Sequence, residues 1–328
     1  MSAEKQVSIM SIEKDCDVVS GAIDFPGDVH IGGSVRENTQ LKAGGRIIVA
    51  GAIEAATVEA GGELRVHGGI VGKDRGRCST ASNLSCRFAS GAYLAAGGDV
   101  HVEASILQCH LSCGGALKVQ AGTISGGEVS ANGGIVCKLL GSATGIPTFV
   151  EAGVDRRFLS VFKSTLQQAE LDRKRIHTIR TTVAPLLQQQ KNLTAKQKER
   201  ATELLYEADE LSHTHSRKLD ELRELWLSSI AAASSQIIVT EVLHAGTTIR
   251  FAGLETVIHT DIKGPLTLTT RKLALATEIV IIDGISGVVS ALTTSRVDDA
   301  ALHAAHALLS KSESATTSAS AVTVPAAA

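Results

Sequence analysis

Between Ile23 and Cys137 the apolar positions fall into recurring columns. The first runs Ile23, Leu41, Val58, Cys78, Leu94, Leu111 and Val129. Six residues after each of these comes a second column, Val29, Ile47, Leu64, Leu84, Val100, Leu117 and Ile135. Two residues later comes a third, Ile31, Val49, Val66, Cys86, Val102, Val119 and Cys137, and a looser fourth holds Val35, Ile53, Ile70, Ile106 and Ile124. The offset of two is the alternation of a β-strand, with every second side chain on one face. Gly27, Gly45, Gly62, Ser82, Gly98, Gly115 and Gly133 mark a turn in each unit, at spacings of 16–20 residues. Short strands repeated at that period predict the coils of a parallel β-helix, in which stacking buries what one coil alone leaves exposed. Each fully buried Val, Leu or Ile is worth about 1.5–3 kcal/mol, so the columns promise a long apolar core. Right-handed coiling is expected from the usual hand of parallel crossovers.

The turns carry Gly pairs such as Gly44-Gly45 and Gly61-Gly62, which suit corners with positive φ. Asn132 stands in for the first Gly of one pair and is expected to be left-handed as well. The Ala81-Ser82 corner breaks the rule and is expected to differ or to carry strain.

After Gly153 the period changes from two to three and four. Asp155 is placed to cap a helix with its seam at Leu159, Phe162, Leu166, Ala169, Ile176, Val183 and Leu187. Pro185 is expected to kink or divide it. A break follows near Asn192-Leu193, and Thr194-Ala-Lys-Gln197 reads as a capping box opening a second helix. Its seam uses Leu204, Ala208, Leu211, Leu222, Leu225 and Ile230, with Trp226 alongside. Residues 155–191 carry eight basic against three acidic residues, whereas 194–235 carry six against eight, which favours an antiparallel pair. At 1.5 Å per residue, helices of this length make a coiled-coil hairpin about 50 Å long.

Strand periodicity returns in Leu243-His-Ala-Gly-Thr-Thr-Ile-Arg-Phe251, where Leu243, Ile249 and Phe251 keep the repeat offsets around Thr247. The fold class is therefore mainly β: a right-handed parallel β-helix with an antiparallel coiled-coil hairpin inserted before its last rungs. The predicted organisation is an N-terminal extension at 1–17, the β-helix at 18–153, the hairpin at 154–235, closing rungs at 236–284 and a tail at 285–328. Lys263-Gly-Pro-Leu-Thr-Leu268 and Glu278-Ile-Val-Ile-Ile282 supply the last strands. In the tail, Asp298 to Leu309 is a candidate short helix, and the Ser/Thr/Ala-rich remainder is expected to be disordered.

Composition narrows the function classes. The 328 residues have a net charge of −2, which argues against a nucleic-acid binder that works by neutralising phosphates. No secretory h-region opens the chain and no run of 18 apolar residues occurs, so neither export nor a membrane helix is expected. Six cysteines in such a chain read as reduced thiols. A soluble, cytoplasmic protein is expected.

Candidate chemistry is sparse. Cys109-His-Leu-Ser-Cys113 lacks a standard zinc spacing. Cys78, Cys86, Cys113 and Cys137 occupy core columns, while Cys109 and His110 have no firm place in them. No nucleophile elbow, phosphate loop or zinc-protease motif is present. The outward column Asp28, Arg46, Glu63, Asn83, Asp99, Ala116 and Gly134 is mixed in charge and reads as a solvated wall. The next one, His30, Ile48, Arg65, Ser85, His101, Lys118 and Val136, would align His30, Arg65, His101 and Lys118 on one face. These four form a candidate basic, pH-sensitive stripe for docking an acidic protein partner. No catalytic, cofactor-binding or metal-binding residues are expected.

Ser20-Gly-Ala-Ile-Asp-Phe-Pro-Gly-Asp-Val-His-Ile-Gly-Gly-Ser-Val35 resembles the opening of the flagellar assembly protein A family. The serial Ala-Gly-Gly turns, Leu139-Leu-Gly-Ser-Ala-Thr-Gly145, Lys263-Gly-Pro-Leu-Thr-Leu268 and the order of parts are also similar to it. The likeness covers residues 18–283. Family members commonly carry a sizeable N-terminal domain, and here it is the β-helix and coiled coil that match. The resemblance implies a non-enzymatic bacterial scaffold or regulatory protein, cytoplasmic and recruited to the cell pole or flagellar base, acting through protein partners. It offers no catalytic residues to carry over. A polymer-forming β-helix protein, self-associating through its ends or its coiled coil, is the alternative. An enzyme on a β-helix would need a hexapeptide period or a carboxylate cluster, and neither is found.

Overall fold

Every column read from the sequence becomes a ladder of parallel strands. The structure is a computed structural model describing residues 8–17, 21–188, 194–232, 236–251, 253–273 and 276–297, with 184–188 and 228–232 described by backbone alone. Its solenoid makes about 8 turns, and each coil has three faces. On the first face Leu41 pairs in register with Val58, Val58 with Cys78, Cys78 with Leu94, and Leu94 with Leu111. The second face stacks Val29, Ile47, Leu64, Leu84, Val100, Leu117 and Ile135. The third stacks Ile53, Ile70, Ala89, Ile106, Ile124 and Leu140. All of these side chains are buried and form one continuous core.

The corners correct the reading of the glycines. Gly44, Gly45, Gly61, Gly62, Gly97, Gly98, Gly114 and Gly115 are not among the positive-φ residues, and neither is Asn132; at that last corner the left-handed residue is Gly134, with φ 91°. What selects glycine is the closeness of the coil beneath. A Cβ on Gly61 would lie 2.3 Å from the Gly44 carbonyl oxygen, and one on Gly97 only 1.8 Å from that of Ala81. The Ala81-Ser82 corner is unstrained: the Ala81 amide donates to Ala60 O at 3.0 Å, as Gly61 does to Ala43 O at 2.8 Å. Thr80 adds a hydroxyl bond to the Gly62 carbonyl.

The mixed outward column after the turn also proves to be structural. Asp28 accepts from the Arg46 amide at 2.7 Å, Asn83 from the Asp99 amide at 2.9 Å, and Asp99 from the Ala116 amide at 2.8 Å. Each side chain thus satisfies a backbone donor of the next coil. Asp28 is nearly buried, and the Arg46 amide and guanidinium hold its carboxyl below the usual range.

Ladders extend beyond the predicted limits. Ile9–Ile12 pairs parallel with Asp28–Ile31 and Cys16 is buried, so the solenoid already includes part of the stretch assigned to an N-terminal extension. Thr148–Ala152 adds a first-face strand that pairs with residues 127–131. The chain then leaves the solenoid at Ala152 and resumes pairing at Gln236–Leu243, whose Ile237 lies beside Ile135 on the second face. The helical insertion thereby occupies the place of a single corner. Ile249 stacks on Val150 in the first-face column and Leu243 on Leu140 in the third-face column, which corrects the register expected around Thr247.

The end of the stack is closed by antiparallel strands rather than further parallel rungs. Leu254–Val257 pairs antiparallel with Thr247–Phe251, and Leu266–Lys272 with Gln236–Leu243. Thr277–Asp283 and Val289–Ala291 continue an antiparallel meander. Val289–Ala291 and Ser295–Arg296 therefore place strands in the predicted tail; the expected helix at 298–309 and the residues after it lie outside the described residues.

The helices form a second compact unit, dividing from the solenoid between Arg157 and Phe158 and again between Ser228 and Ser229. Helix α1 spans Arg156–Gln188 and helix α2 spans Ala195–Ala232. Asp155 caps α1 through the Arg157 amide at 3.0 Å. Thr194 and Gln197 exchange the reciprocal bonds of a capping box. The backbone of α1 stays helical through Pro185, so the proline does not divide it. Leu187 and Ile230 are described by backbone alone, and the break near Asn192-Leu193 lies outside the described residues.

Antiparallel pairing is supported by contacts that run in opposite order along the two helices: Phe158 with Trp226, Asp172 with Lys218 at 3.9 Å, and Arg175 with Glu207. The seam buries Phe162, Ala169, Ile176, Val183, Ala201, Ala208 and Leu222. One position differs from expectation: Leu225 is 54% exposed while Trp226 is buried. The indole stacks on Phe158, with centroids 5.6 Å apart, and leans on Phe162 at 6.2 Å, burying more apolar area than leucine would.

Candidate docking faces

The second face carries the predicted stripe in the predicted register. His30 pairs with Ile48, Ile48 with Arg65, Arg65 with Ser85, Ser85 with His101, and His101 with Lys118. Arg65, His101 and Lys118 are exposed; His30 is half-buried, its Nε2 enclosed and without a partner. The surroundings are less basic than the column alone suggests. Arg65 donates to Glu63 at 2.8 Å, and the depression around Arg65 and His101 is also lined by Asp99 and Glu103. Along this face most of the positive charge already has an acidic neighbour.

A second depression lies on the first face. The strands Thr57–Ala60, Arg77–Thr80 and Tyr93–Ala96, with the later parts of Val100–Cys113 and Thr123–Ala131, line a groove of about 450 Å³. In-register pairing aligns Arg77, Tyr93, His110 and Glu128 as one outward row. The Arg77 guanidinium sits 4.6 Å from the Tyr93 ring centroid, and His110 stacks on that ring at 4.9 Å with the planes 8° apart. Flat side chains one strand spacing apart meet face to face, so the row is a stacked ridge. Beside it runs a row of small side chains, Ser79, Ala95, Ser112 and Ser130, which forms the floor. The Ser112 hydroxyl is buried without a hydrogen-bond partner, whereas Ser130 donates to Val154 O at 3.1 Å. At one end, buried Glu151 is held by Arg156 through two bonds, one of them 2.7 Å. Among the described residues neither Arg77 nor Glu128 has an ion-pair partner.

This row escaped the sequence reading, although a signal was available. One residue before the first apolar column stand Thr57, Arg77, Tyr93, His110 and Glu128, an outward column that gathers two ring-bearing residues and two opposite charges. It also places His110, pointing outward. Cys109 is fully buried and pairs with Gly127. Burial pushes the Cys109 thiol up, and those of Cys78, Cys113 and Cys137 to about 12. Such thiols are neutral packing groups rather than nucleophiles.

The helices offer a third surface. Val161 is 60% exposed, Leu171 58% and Tyr206 73%. Among the described residues no helix is long and apolar enough to cross a membrane.

A family model described as the flagellar assembly protein A beta solenoid domain matches residues 8–272. No curated protein and no solved structure matches the chain.

Proposed function

The chain belongs to the flagellar assembly protein A beta solenoid family, and from that premise we propose that it is a non-enzymatic scaffold which acts by binding other proteins. It serves bacterial flagellar assembly or placement from the cytoplasm, at the cell pole or flagellar base. The observation that carries this reading is the pair of long helices with Val161, Leu171 and Tyr206 largely exposed, a surface that a partner's apolar side chains can cover. A rigid solenoid that devotes its interior to stacking is suited to display such an element. The stripe of His30, Arg65, His101 and Lys118 is a second and weaker docking surface for an acidic protein.

Filament growth, the alternative, requires two open solenoid ends, and antiparallel strands already cover one of them.

The test is replacement in the source bacterium. A chain lacking residues 158–228 is expected to leave flagellation as defective as removal of the whole protein does, while the shortened protein keeps its β-sheet circular dichroism. Full restoration of flagella by that chain would exclude the helices as the working surface. For the stripe, Arg65→Glu combined with Lys118→Glu is expected to weaken partner capture; retention of every partner would remove it from the proposal.

A further inference from the structure

The first-face groove has a chemistry that neither the helices nor the stripe share. Of the four charged residues that line it, Glu59 lies 4.0 Å from Lys42 and Arg156 is paired with Glu151. Arg77 and Glu128, opposite in charge and exposed, stand at the two ends of the four-residue row and, among the described residues, have no ion-pair partner. Arg77 and Glu128 are separated by three strand steps, which at about 4.8 Å each is roughly 14 Å along the solenoid axis. An extended polypeptide rises about 3.4 Å per residue, so four residues span the same distance. Residues four apart in a strand also point to the same side.

We propose that this groove binds an extended segment of another protein, laid along the solenoid axis, that carries an acidic and a basic side chain four residues apart. The acidic group meets Arg77 and the basic group meets Glu128. The residues between them pass over Ser79, Ala95 and Ser112, whose small side chains let a backbone approach closely. A sugar chain fits less well, because both faces of the Tyr93 ring are already covered by Arg77 and His110. A uniformly charged polymer would meet one matching and one repelling end. The chain's own C-terminal segment does not carry the pair: Lys311 and Glu313 are two residues apart, not four. The inference rests on the protein-binding reading only in taking a peptide as the occupant; it needs neither the helices nor the stripe.

The experiment uses the full chain and dye-labelled synthetic peptides in fluorescence anisotropy. The probes contain Asp-Thr-Ser-Thr-Lys or the reverse order, with Asp-Thr-Thr-Lys and its reverse as controls of shorter spacing. One order of the four-apart pair is expected to bind about tenfold more tightly than its control. Arg77→Glu should abolish that preference, and replacing the probe's Asp by Lys should restore binding to the Arg77→Glu protein. Arg77 is exposed, so the variant is expected to fold; should its thermal melt be altered, Glu128→Lys with a probe bearing Asp at both ends makes the same exchange at the other end. Equal affinity for both spacings, no binding of any probe up to about 1 mM, or charge reversal without rescue would overturn the proposal. None of these results bears on the replacement experiment with residues 158–228 removed.

Discussion

The solenoid and the helical unit are stabilised by different kinds of order. In the solenoid one solution is repeated: Leu64, Leu84, Val100 and Leu117 occupy equivalent positions and see nearly the same neighbours. In the helices each contact is singular, with one aromatic cluster of Phe158, Phe162 and Trp226 and a seam of mostly small or aliphatic residues. A repeated position says little about function, since its residue is explained by the rung above and the rung below. A position that departs from the repeat needs a separate cause. By that criterion the helices and the Arg77–Glu128 row are where binding is to be sought.

The contrast is most exposed to failure at Trp226. Trp226→Ala is expected to cost the helical unit about 3–5 kcal/mol and to lower helical circular dichroism while the solenoid strands persist. Loss of both signals together would mean that the two units do not have separate stabilities. In the solenoid, Leu111→Ala on the first face and Leu117→Ala on the second should each cost about 2–5 kcal/mol, with like shifts in urea midpoint. A cost below about 1 kcal/mol at either position would show that its face is not part of the packed core.

A smaller effect is expected at the corners. Asp28→Ala leaves the Arg46 amide without its acceptor and should cost about 1–3 kcal/mol by chemical denaturation. Because the folded-state pKa of Asp28 lies below the ordinary 3.8, its ionised form contributes in full above that value. The contribution is lost as pH falls through the lowered pKa. Asp28→Asn should therefore flatten the acid limb of the stability profile; an unchanged limb would remove Asp28 from the account. The smallest change is expected for Leu225→Ala, within about 0.5 kcal/mol, because that side chain is more than half exposed. A cost like that of Trp226→Ala would reverse their assigned roles.

The repeat was legible because a period of two, restated every 16–20 residues, leaves few other folds. The corners were located correctly but explained wrongly. Positive φ and close approach both select glycine, and only coordinates distinguish them. Leu225 and Trp226 are adjacent on a helix, so a pattern of threes and fours accommodates either at the seam. The strand at Thr148–Ala152 was missed since it precedes no Gly-Gly turn, and the register around Leu243 slipped for want of it. The groove was hidden for another reason: apolar columns report what is buried, while its row lies on the outer surface, and the stacking of Arg77, Tyr93 and His110 depends on rotamers.

The central claim is that partners bind where the chain departs from its repeat, above all on the helices. Lysine-directed cross-linking with mass spectrometry in the intact cell tests it most directly, since Lys163, Lys174, Lys196 and Lys198 are exposed on α1 and α2. The account predicts that cross-links to other proteins concentrate on these four lysines. Cross-links to other proteins from the solenoid lysines, with none from these four, would contradict it.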